Sequence, residues 1–144
     1  MAAKNNTIAL SEGLEQFNLV FTDRDDDAVT ISFNPYDTDI VIRISQSQEN
    51  ISRALDEFKG EGESSAETLE RINGVIYDEI DRIFDSKISD KVFKHCSPLS
   101  LDAKGVTFAE RFLNAVTPHI TGRIQAANKA SAARIAKHTG KYVK

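Results

Sequence analysis

The chain has 144 residues, of which 40% are hydrophobic and 28% charged, and its formal net charge is −4. This length and composition are typical of one soluble globular domain, and no apolar run is long enough for a membrane span or a signal peptide. A single cysteine excludes an internal disulfide, and the three histidines are scattered rather than spaced as zinc ligands. We therefore expect a cytoplasmic protein without a cofactor.

Charge is divided unevenly along the chain. All 22 acidic side chains lie at or before Glu110, together with 11 of the 18 basic ones, whereas the last 34 residues carry seven Lys and Arg and no acid. Two ends of opposite charge attract other copies of the chain or an oppositely charged partner. The whole chain is acidic and Tyr142 is the one aromatic residue of its last 30, so we expect protein contact rather than nucleic-acid contact.

The first third of the sequence predicts a β-hairpin over about residues 14–33. Apolar and polar residues alternate on both sides of the acidic tract DRDDD, which begins at Asp23. That tract places carboxylates at positions 1, 3 and 5 of a calcium loop. However, Ala28 stands where the sharp turn needs glycine, and Asn34 where a bidentate glutamate belongs. We interpret the tract as a solvated turn and predict no metal site.

Apolar residues at helical spacing predict two long helices at about 35–59 and 64–85. Asn34-Pro35 is expected to open the first of them, with Asp37 in its first turn. A capping box is expected to open the second, with Ser64 as the capping residue and Glu67 as its partner. The short connection between the helices favours an antiparallel helical hairpin.

Two further helices are predicted at about 89–95 and 107–121. The second begins at a capping box of Thr107 and Glu110 and is expected to kink or end near Thr117, because Pro118 lacks the N–H that a helix interior uses. The fold class is thus α+β, mainly α: an N-terminal β-hairpin packed on a small bundle of three to five helices. Residues 1–124 are expected to form a single compact domain, and 125–144 a basic helix or tail.

No group of residues predicts covalent chemistry. His95 and Cys96 are adjacent in sequence, and adjacent side chains rarely face each other as a nucleophile and its base must. The glycines match no phosphate-binding pattern. We expect that the protein is not an enzyme.

Three blocks of sequence carry a resemblance to a known family. The first, VTISFNPYDTDIVIRI, ends its strand in an FNP-x-D pattern at Phe33, Asn34, Pro35 and Asp37. The second, DEIDRIFDSKISDKVFKHCSPLSL, has Phe84-Asp85-Ser86-Lys87 and Val92-Phe93-Lys94 where the family has FGEG-like and VFG-like segments. The third, ARIAKHTGKYVK, matches a closing R-I-x-K-x-T-x-K-Y. Together they resemble the tail assembly chaperones of tailed, siphovirus-like phages and prophages of Gram-positive bacteria.

The resemblance implies a protein that coats the phage tape-measure protein in the host cytoplasm and is displaced as the tail tube polymerises. It would be absent from the finished particle. The expected partners are the tape-measure protein and other copies of the chain, with the tail-tube protein as a further candidate. The residues expected to bind a partner lie near the C-terminus: Arg123, Lys129, Arg134, Ile135, Lys137, Lys141 and Tyr142.

Two alternatives stay open. One is a structural tail or head-completion protein, which would be found in purified virions. The other is a nucleic-acid-associated phage protein that uses the basic C-terminus, which would be retained on DNA in a salt-dependent way.

Overall fold

A computed structural model describes residues 6–25, 28–60 and 65–140, without the side chains of 58–60 and 138–140. It is mainly helical with an N-terminal antiparallel hairpin, which confirms the predicted fold class. The elements in chain order are β1 Glu15–Val20, β2 Ala28–Phe33, α1 Thr38–Gly60, α2 Ala66–Phe84, α3 Ser89–Val92 and α4 Phe108–Gly140.

The hairpin buries one face against the helices. β1 and β2 pair with Phe17 opposite Ile31, so alternate residues share a face. Ile31 and Phe33 are buried, and Phe17 and Leu19 pack against the same core. The rings of Phe17 and Phe33 stack with centroids 4.5 Å apart, and Phe33 meets Phe84 of α2 at 5.0 Å. A two-stranded sheet is only marginally stable alone, so this packing on helices is what holds it.

α1 and α2 form the antiparallel hairpin that the sequence predicts. Arg71 pairs with Glu57 at one end of the hairpin, and the Nε of Arg43 donates to the carbonyl of Ile83 at the other, at 2.8 Å. Val41, Ile42 and Val75, which were expected to widen the apolar stripes of the two helices, are exposed, and the side chain of Phe58 is outside the described residues. The other apolar residues at helical spacing lie in the core or pack against it. The buried members are Ile40, Ile44, Ile51, Leu55, Ile72, Ile76, Ile80 and Ile83.

The predicted starts of α1 and α2 need correction. α1 begins at Thr38 rather than Pro35, because Pro35 is buried in the core and the Oδ1 of Asn34 accepts from the N–H of Tyr36 in a turn, at 2.9 Å. Asp37 takes the capping role expected of Asn34, since its Oδ1 accepts from the N–H of Asp39 at 2.9 Å. The four residues of the FNP-x-D pattern therefore shape the passage from strand to helix.

α2 ends at Phe84, one residue earlier than predicted, and it is capped by Ser65 rather than Ser64. The Oγ of Ser65 accepts from the N–H of Thr68 at 3.1 Å, while Ser64 lies outside the described residues. Glu67 is the second helical residue here, so it cannot close a capping box with Ser65, which needs a partner three positions on.

α3 is shorter than the predicted 89–95 and ends at Val92. Its start is fixed by Asp81 of α2, whose carboxylate accepts from the N–H groups of Ile88 and Ser89 at 2.9 and 2.8 Å and from the Ser89 hydroxyl at 2.9 Å. Val92 and the following Phe93 are buried, so this short turn adds apolar side chains to the core.

α4 runs without interruption from Phe108 to Gly140, so the predicted end of the helix near Thr117 or residue 121 is wrong. Its start agrees with the prediction, because the Oγ1 of Thr107 accepts from the N–H of Glu110 at 3.2 Å. Pro118 is exposed, and the carbonyl of Asn114 that loses its donor lies on the exposed side of the helix, where it is open to solvent. Helix formation therefore continues through Pro118.

Candidate interaction surfaces

The last part of α4 extends beyond the core. We call residues 125–140 of this helix the extension. From 125 to 137 every side chain is exposed except that of Ser131, which is half-buried. At 1.5 Å per residue the 16 residues measure about 24 Å along the helix axis. A helical segment of this length that contacts so little of its own protein offers nearly its whole circumference to another molecule.

Composition explains why the extension is helical although it packs weakly. Its sequence QAANKASAARIAK is dominated by alanine, the residue with the highest helix propensity, and it propagates from a helix already nucleated in the core. The described side chains include Lys129, Arg134 and Lys137 and no carboxylate. The extension is therefore a positively charged rod with small side chains between its cations.

Arg123 stands just before the extension and is bound to the hairpin. Its guanidinium pairs with Glu15 of β1 and lies 5.7 Å from the ring centroid of Phe17 and 5.9 Å from that of Tyr36. The hydrogen bond to Glu15 raises the pKa of Arg123 above its ordinary value. The side chain thus fastens α4 to the hairpin at the point where the helix leaves the core.

The structure separates the residues predicted to bind a partner into three groups. Arg123 belongs to the internal contact with the hairpin, whereas Lys129, Arg134, Ile135 and Lys137 lie exposed on the extension. Ile135 is 57% exposed and is the one large apolar side chain among the described residues of the extension. Arg134 and Lys137 are three residues apart and share a side of the helix, while Lys129 lies on another. Lys141 and Tyr142 are outside the described residues.

α2 carries an acidic stripe on the side opposite the core. Glu67, Glu70, Gly74 and Asp78 follow one another at steps of three, four and four residues, and all four are exposed. The three carboxylates make no hydrogen bond or ion pair with another residue that the structure describes. A Cβ added at Gly74 would have no neighbouring atom within 4 Å. We call this surface the acidic stripe; its centre is open to close approach.

A groove lies between α1 and the first half of α4. Its volume is about 310 Å³. Buried apolar side chains of both helices form its floor, and exposed polar side chains stand at its rim. The lining residues are Gln48, Ile51, Ser52, Leu55, Ala109, Glu110, Leu113 and Asn114. An apolar floor with a polar rim is the arrangement by which a helix or loop of another protein is received.

His95 and Cys96, the residues considered for chemistry, line one cavity together with Phe21. The ring of His95 packs edge-on against Phe21, with centroids 5.0 Å apart, and Cys96 is half-buried beside it. Within residues 6–25, 28–60 and 65–140 no three His, Cys, Asp or Glu side chains cluster as metal ligands would. Of the acidic tract, Asp26 and Asp27 lie outside the described residues. The same ranges contain no helix with the length and apolar character that a membrane crossing needs.

Sequence reasoning missed a polar network between α1 and α2. Ser47 is fully buried, and its hydroxyl donates to the Oε2 of Glu79 at 2.5 Å. The same oxygen accepts from Arg82 at 3.0 Å, and Oε1 accepts from Asn50 at 3.2 Å. Burial raises the pKa of Glu79, but the bonds from Ser47, Arg82 and Asn50 lower it by more, so the group is held below its ordinary 4.5. The network fixes how the two helices sit against each other.

Comparisons of the chain with protein-family models, with curated proteins and with solved structures find no significant match.

Proposed function

We propose that this protein is a phage tail assembly chaperone that binds the tape-measure protein and leaves as the tail tube polymerises. It acts by contact with other chains and not by covalent chemistry. The tape-measure protein is a long, helix-rich client whose apolar stripes aggregate unless another protein covers them.

The observation that carries this proposal is the extension. A folded domain gains little stability from a helical segment whose side chains from 125 to 137 are all exposed apart from the half-buried Ser131. The stability of helices in proteins comes mostly from a packed face. The exposure of this segment and its uniformly positive charge are useful when another molecule is bound. The resemblance in the sequence indicates which molecules these are: the tape-measure protein and other copies of the chain.

The groove between α1 and α4 is the second support, because it fits an amphipathic helix. Anchoring side chains of a client helix would rest on Ile51, Leu55 and Leu113, while Gln48 and Asn114 at the rim meet its polar flank. The floor is small, so each copy holds its client weakly. A chaperone needs such weak contacts, since the tube subunits must displace it.

Co-expression with a phage tape-measure protein, the proposed client, tests this function. We expect the client to be soluble and to co-purify with the chaperone, and to be insoluble when expressed alone. Ser52→Trp should reduce co-purification, because Ser52 is exposed and lines the groove, and a tryptophan there fills it. Ser45→Trp is the matched control: it lies seven residues earlier on α1, exposed and outside the groove lining.

Three results would contradict the proposal. The first is a client that stays insoluble in the presence of the chaperone. The second is detection of the protein in purified virions, which would make it a structural component. The third is retention on duplex DNA at physiological salt, which would assign the basic C-terminus to nucleic acid.

A further inference from the structure

We infer that the extension of one copy docks on the acidic stripe of a second copy. The extension also supports the proposed function, and this inference specifies another copy as the chain that it binds. The test below uses the purified protein without a client, so its outcome is separate from that of the proposed function. Self-association gives the exposed helix a specific partner, which is the same chain.

The first argument is the complementarity of charge. The described side chains of the extension include three cations and no carboxylate. The acidic stripe presents Glu67, Glu70 and Asp78, while Arg71 beside them is paired with Glu57 of α1. The carboxylates of the stripe have no partner among the described residues of their own chain. Facing surfaces of opposite sign steer association and fix its orientation.

The second argument is a match of spacing. Along α2 the stripe runs Glu67, Glu70, Gly74, Asp78, at steps of three, four and four. Along the extension, read from its C-terminal end, the exposed positions Lys137, Arg134, Ala130 and Ala126 follow the same steps. Antiparallel packing of the two helices then sets Lys137 against Glu67 and Arg134 against Glu70.

The third argument is steric. The same alignment sets Ala130 of the extension against Gly74 of the stripe, where no atom lies within 4 Å of an added Cβ. The distance between packed helices depends on the side chains at their contact. Alanine over glycine lets the two helices approach closely, which shortens both ion pairs beside that contact.

The contact is intermolecular because α4 cannot fold back onto its own α2. α4 is one helix from Phe108 to Gly140, and Arg123 fastens it to β1 where it leaves the core. Each copy therefore donates one extension and accepts another on a different surface. Such heterologous contacts build chains, or rings when the rotation closes.

A cycle of charge reversals tests the inference by sedimentation velocity on the purified full chain. The wild type is expected to exceed its 16.0 kDa monomer mass with rising concentration. Glu67→Lys with Glu70→Lys, and separately Arg134→Glu with Lys137→Glu, should each weaken self-association by about tenfold or more, since like charges then face each other. An equimolar mixture of these two double variants should associate again, and so should the quadruple variant.

Two controls carry the same change of net charge on other surfaces. Lys104→Glu with Lys129→Glu alters exposed cations that lie off the matched side, and Glu49→Lys with Asp56→Lys alters exposed acids of α1. Both controls should associate as the wild type does. Circular dichroism of each variant checks that the fold is retained.

Several outcomes would overturn the inference. They are a wild type that stays monomeric at every concentration, double variants that associate normally, or a mixture that fails to recover. Controls that weaken association as strongly as the double variants would replace the specific contact with a general effect of charge. A wild type that gains mass when nucleic acid or the tape-measure protein is added, and not by itself, would assign the extension to that partner.

Discussion

Ser47 and Glu79 determine at the residue scale how α1 and α2 meet. The apolar stripe of α1 steps seven residues from Ile44 to Ile51, and Ser47 fills that gap at 0% exposure. A buried hydroxyl requires a hydrogen-bond partner, and Glu79 supplies it at 2.5 Å. Any sliding of one helix along the other would separate these two side chains. The network therefore adds specificity that apolar packing alone lacks.

Replacement of Glu79 by alanine should destabilise the fold by about 1–3 kcal/mol, because it leaves Ser47 buried without its acceptor and Arg82 without its carboxylate. Urea unfolding measures this as a lower midpoint at unchanged slope. Glu49→Ala is the control, since Glu49 is 79% exposed and its pair with Arg53 spans 4.0 Å. That change should stay within about 0.5 kcal/mol of the wild type, and equal losses in both variants would contradict a special role for Glu79.

The Glu79 carboxylate is also expected to make the stability of the fold depend on pH. The pKa of Glu79 is lower in the folded chain than its ordinary 4.5, so the unfolded chain binds the proton more readily. Its contribution to stability is complete above the unfolded value and is lost as the pH falls through the folded value. Glu79→Gln should therefore lose less stability between pH 7 and pH 3 than the wild type does. Parallel pH profiles for the two proteins would contradict this assignment.

Asp85 is the one described non-glycine residue with a positive φ, at 49°. It ends α2 in the left-handed conformation, at the position where the resembling family has the first glycine of its FGEG-like turn. An L side chain is strained there, and a carboxylate at a helix C-terminus opposes the helix dipole.

Asp85→Gly should therefore stabilise the fold by about 0.5–1 kcal/mol, seen as a higher urea midpoint. Ser86→Gly is the control, because Ser86 has no positive φ and the change adds only flexibility to the unfolded chain. It should lower the midpoint. If Asp85→Gly also lowers the urea midpoint, the Asp85 side chain makes a contact that stabilises the fold by more than the backbone strain destabilises it.

At the scale of the element, α4 passes through Pro118 and continues for 22 residues to Gly140. Neighbouring threonines contribute hydrogen bonds to the backbone at this point. The Oγ1 of Thr117 donates to the carbonyl of Leu113 at 2.6 Å, and the Oγ1 of Thr121 to that of Thr117 at 3.2 Å. The bond that Pro118 itself cannot donate to Asn114 remains missing.

Pro118→Ala should restore that bond and raise the stability of the fold by about 1–3 kcal/mol. The urea midpoint measures the gain, and Asn114→Ala, an exposed neighbour on the same side of α4, is expected to change it little. If Pro118→Ala has no effect, the helix already accommodates the proline without cost. A loss of stability would mean that the ring itself packs against the fold.

Elements defined by local periodicity were predictable, and those decided by tertiary packing were not. Spacing alone predicts the buried face of each long helix, from the isoleucines of α1 and α2 and from the phenylalanines of α4. Asn34-Pro35 has the pattern of a helix start, but burial of Pro35 moves the start to Thr38. Pro118 has the pattern of a helix end, but it lies on the exposed side of α4, where the carbonyl that loses its donor is open to solvent.

The candidate surfaces were predictable only in part, for the same reason. The acid-free C-terminus is visible in the sequence, and so is the three-four-four spacing of the acidic stripe. That Arg123 turns inward to Glu15 while Arg134 and Lys137 face outward depends on where α4 leaves the core. Ser47 stands in the apolar stripe as a polar residue, and that gap was the available sign of its contact with Glu79.

At the scale of the whole molecule, an acidic body, a basic helical extension and a shallow groove with an apolar floor support the proposal that copies of the protein line up along a client. The groove would hold the tape-measure chain, and the docking of each extension on the next copy would add avidity to weak single contacts. Because ion pairs at exposed surfaces weaken with ionic strength, assembly along the client should be sensitive to salt.

Native mass spectrometry of the complex purified after co-expression with the tape-measure protein tests this function most directly. The predicted result is several copies of the 16.0 kDa chain on each tape-measure chain, with the copies lost when tail-tube protein is added. A tape-measure protein that is recovered without any bound copy, or that keeps every copy after the tube has formed, would contradict it.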